Sequence, residues 1–320
     1  MTLKKLPSIW LVILAYLAIY VLWGTTYFAV LVGLQTLPPF IMAALRFFMA
    51  AVVLLLIVYI KGEKIIVPGI YKNMLLGMII LTGGQGLLFW SEQYIASGTA
   101  AILVSALPLW YVLLDTKNRK IYFSNKLIIS GLVLGFFGIL LLFKKYIGAS
   151  SGNTKWQLFG LLAVIGACIC WASGTLYYKN NANQNSLFLN LGWQLTGGCL
   201  SSLIVAFLTL EFKNFSLENV SMNSWLATIY LAVAGTLIAF VAFSWLLTVR
   251  PAAVVGTYAY VNPVIAVLLG WLLANEGISF LQIIGMIIIL LSAFLVNSPK
   301  YLEKKKKKKT GTEIELYKPV

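Results

Sequence analysis

Long apolar stretches, separated by short polar connections, follow one another along nearly the whole chain. Each is close to the roughly 20 residues that an α-helix needs to cross a bilayer. The ten stretches cover residues 9–32, 38–60, 73–94, 98–115, 125–143, 157–178, 186–209, 225–248, 252–273 and 280–298. They are too long for barrel strands, and in lipid the backbone must satisfy its own hydrogen bonds. The pattern therefore predicts an all-α polytopic membrane protein with ten transmembrane helices.

The composition agrees with a membrane protein, since 61% of the 320 residues are hydrophobic and only 10% are charged. That leaves too little polar surface to cover a soluble globule. The net charge of +15 does not indicate a nucleic-acid partner, because Lys and Arg lie in the connections and the tail. The chain has no His, and its three Cys lie inside apolar stretches. We therefore predict no metal, no disulfide and no cofactor.

The distribution of basic residues predicts the orientation in the membrane. With a cytoplasmic N-terminus, 19 of the 24 Lys and Arg residues face the cytoplasm, four face outside, and Arg46 lies within the second stretch. We therefore expect an uncleaved first span and both termini in the cytoplasm of a cell-membrane protein. Residues 300–320 read as a disordered polybasic tail. Its run Lys304 to Lys309 either fixes the topology or binds anionic lipid.

The two halves of the chain echo each other. The motif Trp-Gly-Thr-Thr-Tyr at residues 23–27 resembles Trp-Ala-Ser-Gly-Thr-Leu-Tyr at residues 171–177, and residues 100–108 align with residues 255–263, each ending in proline. Five crossings per copy leave the second copy upside down. The sequence thus predicts two inverted five-helix repeats, residues 1–148 and 149–299, an arrangement typical of secondary transporters.

Four motifs in this order resemble the EamA branch of the drug/metabolite transporter superfamily. They are the Trp-Gly start, Ala-Leu-Arg-Phe in the second stretch, Gly-Thr-Ala-Ala-Ile-Leu-x5-Pro in the fourth, and Asn-Pro followed by Asn-Glu-Gly in the ninth. The resemblance implies two inverted five-helix repeats, cytoplasmic termini and alternating access, usually directed outward. The family's acidic residue after the ninth span is matched by Glu276. The corresponding place in the first half, near Ile121, carries no acid.

Polar residues in the third stretch are the leading candidates for a transport path. Gln85, Phe89 and Glu92 share one helical face, with Gln93 beside it. This stripe could line an aqueous cavity, with Glu92 as a proton site if burial favours its protonated form. The alternative is that Glu92 lies hydrated and idle in the headgroup region, because depth alone decides the cost of a charge there.

Arg46 lies roughly 12 Å into the second stretch, counted from Pro38 at ~1.5 Å per residue. It shares a leaflet with Glu92, so the two side chains could meet. A paired structural arginine and an anion-binding arginine in the transport path are both open.

Aromatic and polar residues deep in the stretches complete the predicted substrate cavity. Each of them could instead serve packing alone. The full set is Trp23, Tyr27, Gln85, Phe89, Trp90, Glu92, Gln93, Trp171, Thr175, Trp193, Gln194, Trp245, Tyr258 and Asn262. Together they describe an aromatic, mostly uncharged site. Pro108 and Pro263, at matched places in the halves, are either gate hinges or static kinks.

These observations favour a secondary transporter that exports small metabolites, such as amino acids or amphipathic drug-like solutes, across the bilayer. The alternatives are a membrane-embedded enzyme and a sensor or scaffold without transport activity. An enzyme is disfavoured because the chain lacks His, has few intramembrane acids and carries no ATP-binding loop. A scaffold would need a soluble domain. Proton coupling and the formation of a homo-oligomer stay open.

Overall fold

Ten helices form the framework of the protein in the computed structural model, which describes residues 8–144, 154–181, 185–250 and 255–309. No β-strand occurs in those residues. We number the helices in chain order: α1 Ile9–Gly33, α2 Pro39–Ile60, α3 Ile70–Ser91, α4 Ser97–Leu114, α5 Lys126–Lys144, α6 Thr154–Asn180, α7 Leu187–Leu208, α8 Met222–Val249, α9 Tyr258–Ala274 and α10 Phe280–Lys309.

Seven of the helices, α1 to α4 and α6 to α8, are long and apolar enough to cross a membrane. Shorter apolar helices at Lys126–Leu142, Tyr258–Ala274 and Phe280–Val296 coincide with the remaining predicted stretches. The outer faces carry large apolar side chains; Phe207 and Leu208, for example, are 72% and 70% exposed. Soluble proteins do not expose contiguous surfaces of this kind. The prediction of an all-helical, multi-pass membrane protein is confirmed, whereas ten crossings stay a prediction.

The C-terminal helix is longer than its apolar part. It continues to Lys309, past residue 300, where the sequence predicted the start of a disordered tail. Residues 310–320 lie outside the described residues.

Successive helices run in opposite directions through the bundle. The connections α1–α2, α3–α4, α7–α8 and α9–α10 lie at one end, which we call the Glu276 end. The connections α2–α3, α4–α5, α6–α7 and α8–α9 lie at the other, which we call the Glu63 end. Side-chain contacts agree with this assignment, because Glu276 accepts a hydrogen bond from Ser97 at the start of α4 and Glu63 accepts one from Ser186 just before α7.

Helices that occupy the same place in the two halves pack against each other. The second helices, α2 and α7, and the fifth helices, α5 and α10, make the most extensive contacts in the bundle, and the fourth helices, α4 and α9, also pack together. Small residues allow the approach: a Cβ on Gly131 of α5 would lie 2.8 Å from Val296 of α10. Gly131, Gly138 and Gly285 all lie in the α5–α10 contact, where a missing side chain lets two helices approach closely.

The third helix of each half contains a long π-helical segment, Met78–Gly86 in α3 and Leu231–Phe240 in α8. A shorter one, Ala18–Leu22, lies in α1. Such segments widen the helix and are frequent at functional sites. Here the α8 segment supplies a backbone acceptor, since the Trp23 indole donates to the Gly235 carbonyl oxygen at 3.0 Å.

The two matched prolines lie in different local structures. In α4 the helix is interrupted at Ser105 and Ala106, close to Pro108, which lacks the N–H that would bond the Val104 carbonyl. In α9, by contrast, Pro263 lies inside a helix that continues from Tyr258 to Ala274. The prediction that both prolines act as gate hinges stays a prediction.

The crossing of α3 and α7 provides a stability test. A Cβ added to Gly197 would overlap the carbonyl oxygen of Met74 in α3. We expect Gly197→Ala to cost about 1–3 kcal/mol, because backbone atoms cannot yield as a side chain would. Thermal unfolding in detergent should show a loss of several degrees. Gly166→Ala is the matched control, since a Cβ there meets only Leu87, at an ordinary 3.7 Å; equal melting temperatures for both variants would contradict this account.

Candidate functional site

A cavity lies inside the bundle between helices of both halves. Its volume, measured as the space open to the centre of a water molecule, is about 80 Å³. On this measure one water needs roughly 10–15 Å³. Several waters or one small organic solute would therefore fit. The lining residues are Trp23, Thr26 and Tyr27 of α1, Arg46 of α2, Gly84, Gln85, Leu88 and Phe89 of α3, Val104 and Leu107 of α4, Ala167, Cys168 and Trp171 of α6, and Tyr258 and Asn262 of α9.

An aromatic cluster forms one wall of the cavity. The Trp23 ring meets the Trp171 ring edge to face with centroids 5.6 Å apart and the Tyr258 ring at 4.8 Å. Phe243 of α8 packs behind both indoles, at 5.1 and 5.5 Å. Trp23 and Trp171 begin the matching motifs of the two halves, so repeat-equivalent side chains touch at the centre of the protein. Such edge-to-face contacts hold rings in fixed positions.

Arg46 provides the charge in the cavity wall. Its side chain is 2% exposed, and its guanidinium carbon lies 4.9 Å from the ring centroids of both Phe47 and Phe89. Nη2 donates to Oε1 of Gln85, whereas Nε has no hydrogen-bond partner. The predicted contact between Arg46 and Glu92 is wrong: no carboxylate in the described part of the chain lies within ion-pair distance of this guanidinium. Gln85 takes that place, one helical turn before Phe89.

Glu92 fits neither of its two predicted settings. It is 4% exposed, which disagrees with a hydrated side chain at the mouth, yet it does not belong to the cavity lining. It follows directly after α3, at the Glu276 end, and within the described structure neither carboxylate oxygen has a hydrogen-bond partner. A carboxyl group buried in this way is more stable with its proton than without it.

The cavity brings together part of the predicted set. Trp23, Tyr27, Gln85, Phe89, Trp171, Tyr258 and Asn262 line it, together with Arg46, whereas Trp90, Glu92, Gln93, Thr175, Trp193, Gln194 and Trp245 do not. The excluded residues have other surroundings.

The contacts of three of these residues show where they lie instead. The Trp193 indole donates to the Ile65 carbonyl oxygen at 2.9 Å, at the Glu63 end. The backbone of Gln194 lies against Gly77 at the α3–α7 crossing. Gln93 lies beyond the end of α3 and is exposed. A helical stripe identifies a face, but it does not say which neighbour that face meets.

Sequence reasoning also missed residues that line the cavity. Ala167, Cys168 and Leu107 are small or apolar and carry no signal that separates lining from packing. Leu107 could have been found through the repeat, because the alignment that pairs the two prolines also pairs Leu107 with Asn262, and both line the cavity.

Three glutamates hold helix N-termini across the two halves. Glu276 follows α9 and accepts hydrogen bonds from the backbone N–H groups of Ser97 and Gly98, at 2.9 and 3.2 Å, at the start of α4. Glu211 follows α7 and accepts from the N–H groups of Phe40 and Ile41, at 3.1 and 3.0 Å, at the start of α2. Carboxylates are favourable at helix N-termini, where N–H groups lack partners and the dipole is positive.

A similar contact occurs at the Glu63 end, where the glutamate comes from the first half and the helix from the second. Glu63 follows α2 and accepts a hydrogen bond from Ser186, the N-cap residue of α7. The pair Glu63–α7 is thus the counterpart of Glu211–α2. An acid also directly follows α4: Asp115, which accepts from the Tyr122 hydroxyl at 3.0 Å. This bond lies within the first half, and the position that aligns with Glu276, near Ile121, carries no acid.

The environment of Glu211 combines two opposing effects. Burial raises the pKa of its carboxyl group, and the hydrogen bonds from Ile41 and Phe40 lower it. These bonds keep the charged form available at the helix N-terminus.

The structure is an apolar helical bundle around an aromatic cavity that helices of both halves line, with Arg46 in its wall. Such an arrangement is typical of transporters of small solutes. Comparison with known proteins identifies its family. Both halves of the chain, residues 9–144 and 158–298, match the EamA-like transporter family, and the chain belongs to that family. The resemblance found in the sequence motifs is confirmed.

The chain is 31% identical over 294 residues to "Uncharacterized inner membrane transporter YedA" of Escherichia coli, covering 90% of this chain and 91% of the relative. It is 23% identical to the "Probable amino-acid metabolite efflux pump" of Escherichia coli, covering 87% and 92%. A crystal structure with 20% sequence identity superposes with a TM-score of 0.62 and covers 89% of this chain and 96% of the other; this likeness concerns the fold.

The Glu276 cap can be tested by substitution. Glu276→Ala removes the acceptor for the Ser97 and Gly98 N–H groups, and loss of a helix cap costs about 0.5–2 kcal/mol. We expect a lower melting temperature in detergent and faster amide hydrogen exchange at the start of α4. The control is Glu218→Ala, which removes an exposed acid at the same end. Hydrogen exchange at residues 97–100 that matches the wild type in the Glu276 variant would contradict the capping role.

Proposed function

We propose that the protein is a secondary transporter that exports small amphipathic metabolites by alternating access, with the central cavity as its substrate site. The observation that carries this proposal is a cavity enclosed by both halves, in which the equivalent residues Trp23 and Trp171 touch. Carriers built from inverted repeats bind substrate near the midplane between the repeats. Aromatic walls with a few polar groups suit organic solutes of modest size.

Several contacts support two inverted five-helix repeats, residues 1–148 and 149–299, as the basis of the transport cycle. Equivalent helices pack in pairs, and the third helix of each half carries a π-helical segment. In addition, Glu211 after α7 bonds the start of α2 at one end, and Glu63 after α2 bonds the N-cap residue of α7 at the other. A pseudo-two-fold axis in the membrane plane relates such halves. Opening one end while closing the other then exchanges the conformations of two similar structures, which costs little free energy.

The proposed orientation comes from the distribution of basic residues, whereas the proposed direction of transport comes from a relative. The excess of basic residues on one side indicates cytoplasmic termini, so that the Glu63 end faces the cytoplasm and the Glu276 end faces outside. Export agrees with the name "Probable amino-acid metabolite efflux pump" of one relative, and the name of the YedA relative suggests an inner-membrane location. The cytoplasmic run Lys304 to Lys309 would bind anionic lipid at about 1 kcal/mol per residue near the surface.

Glu92 is the proposed proton-coupling residue. It is buried and its carboxylate oxygens lack a hydrogen-bond partner in the described structure. It directly follows α3, the helix that supplies Gln85 and Phe89 to the cavity, at the Glu276 end. An ionisable residue in this position is a functional candidate, because a permanently unpaired charge there would be expensive. Opening of the Glu276 end would expose the carboxyl to water and allow it to exchange its proton with the outside.

Counterflow in proteoliposomes tests the transport function. Vesicles preloaded with an unlabelled mixture of amino acids and small amphipaths should take up labelled members of one class, and uptake should vanish without preload, because a carrier exchanges one bound solute for another. We expect Glu92→Gln to retain this exchange and to lose accumulation driven by a pH gradient.

The matched control is Glu218→Gln, an exposed acid at the same end, which should keep both activities. Accumulation by Glu92→Gln that follows a pH gradient as in the wild type would contradict proton coupling at Glu92. Absence of exchange for every solute in a broad panel would contradict the transport proposal itself.

Substitution in the aromatic wall tests the location of the substrate site. Trp171→Ala removes the ring that touches Trp23 and opens the cavity wall, so we expect the half-saturation concentration for counterflow to rise roughly tenfold. Trp271→Ala, which truncates a side chain that is 56% exposed on α9, should leave it unchanged. Measured saturation curves that are equal for the two variants would place the substrate elsewhere.

A further inference from the structure

The cavity contains one buried positive charge and no negative one. Of the fifteen residues in the described lining, Arg46 alone is ionised at neutral pH. Arginine keeps its proton in proteins. A guanidinium buried in a bundle without a counter-ion is costly and marks a functional site in the membrane.

None of the acids that the structure describes belongs to the cavity lining. Glu276 and Glu211 are engaged with the N-termini of α4 and α2. Glu92 follows Gln85 by seven residues, which places it roughly 10 Å further along the helix axis at ~1.5 Å per residue. An anion that arrives with the solute would compensate Arg46.

The geometry around Arg46 leaves room for such an anion. One end of the guanidinium, Nη2, is fixed by Gln85, and its faces lie against the rings of Phe47 and Phe89. These contacts orient the group without neutralising it. The Nε–H donor has no partner, and the planar fork of arginine matches the two oxygens of a carboxylate.

The remainder of the cavity is suited to an apolar body. The rings of Trp23, Trp171 and Tyr258 form the aromatic wall, and Leu88 and Leu107 add aliphatic surface. An ammonium group would find no carboxylate in the described wall. The one charged side chain in the described wall is positive, which favours anions over cations and neutral molecules.

We propose that Arg46 is the anion-binding residue of the cavity and that the substrate is a small organic carboxylate with an aromatic or aliphatic body. This inference rests on the proposed function and specifies its substrate class. Arg46 would bind the carboxylate, Gln85 would hold the guanidinium in place, and the aromatic wall would receive the body of the solute.

Direct binding tests the inference without requiring transport. Three probes share one body and differ in the head group: 3-phenylpropionate, 3-phenylpropanamide and 3-phenylpropylamine. Binding of each labelled probe to the purified full-length protein is measured by scintillation proximity. We expect the wild type to bind the carboxylate at least about tenfold more tightly than the amide, and to bind the amine no better than the amide, because hydrogen bonds to a charged group are the strong ones.

Variants at Arg46 complete the test. Arg46→Gln should weaken carboxylate binding roughly 10–100-fold and leave amide binding within about threefold of the wild type. Arg46→Lys should bind the carboxylate with intermediate affinity, because the charge remains and the fork is lost. Arg250→Gln, at the Glu63 end and outside the cavity lining, is the matched control and should bind as the wild type does.

The outcomes separate this inference from the proposed function. Equal binding of carboxylate and amide by the wild type, absence of saturable carboxylate binding, or unchanged carboxylate binding by Arg46→Gln would each overturn it. The wild-type ranking of the probes needs no variant, so it decides even where Arg46→Gln fails to fold. Counterflow of 3-phenylpropionate is measured separately. Binding of this probe without counterflow of any solute would contradict the transport proposal and leave the anion site standing. Counterflow of other solutes without a preference for carboxylates would support transport and contradict the anion site.

Discussion

Every polar group in an apolar bundle needs a partner inside the protein, and this constraint accounts for much of the structure. Helix ends that are buried against other parts of the protein would leave backbone N–H groups unsatisfied, each at a cost of about 1–3 kcal/mol. Carboxylates that follow a helix of one half meet this need at the start of a helix in the other half. Glu211 bonds the N-terminus of α2, Glu276 that of α4, and Glu63 the N-cap residue of α7. These contacts hold the two halves together at both ends: Glu211 and Glu276 bond backbone N–H groups, and Glu63 bonds the hydroxyl of the N-cap residue Ser186.

Two ionisable side chains depart from this constraint. Arg46 and Glu92 are as deeply buried as the surrounding core, yet each keeps polar atoms without a hydrogen-bond partner. In a protein that only needed stability, replacing such groups by apolar residues would be neutral or favourable. Their presence is explained if a solute or a proton completes them during transport.

Much of the fold follows from the sequence alone, because apolar length and helical periodicity are direct consequences of the bilayer. The repeat was visible in the motifs around Trp23 and Trp171, and the stripe of Gln85 and Phe89 does face the cavity. What the sequence could not supply is the identity of the neighbour. A contact between Arg46 and Glu92 was considered because the sequence gives only the depth of each residue in the membrane. Which side chain of α3 faces Arg46 also depends on the rotation of α3 about its axis, and α3 contains the π-helical segment Met78–Gly86. In the structure that side chain is Gln85.

The two halves differ at one charged position, and this difference makes the two ends of the cavity unequal. Arg46 is the eighth residue of α2, and Gln194 is the eighth residue of α7, so the cation of the first half corresponds to an uncharged amide in the second. Arg46 lines the cavity, whereas Gln194 lies at the α3–α7 crossing. The repeat supplies two similar conformations for a transport cycle. The single arginine, seven residues from the start of its 22-residue helix at the Glu276 end, makes the cavity differ as seen from its two ends. A bound carboxylate would therefore lie closer to the Glu276 end than to the other, and the polarity of the site arises from the position at which the halves differ.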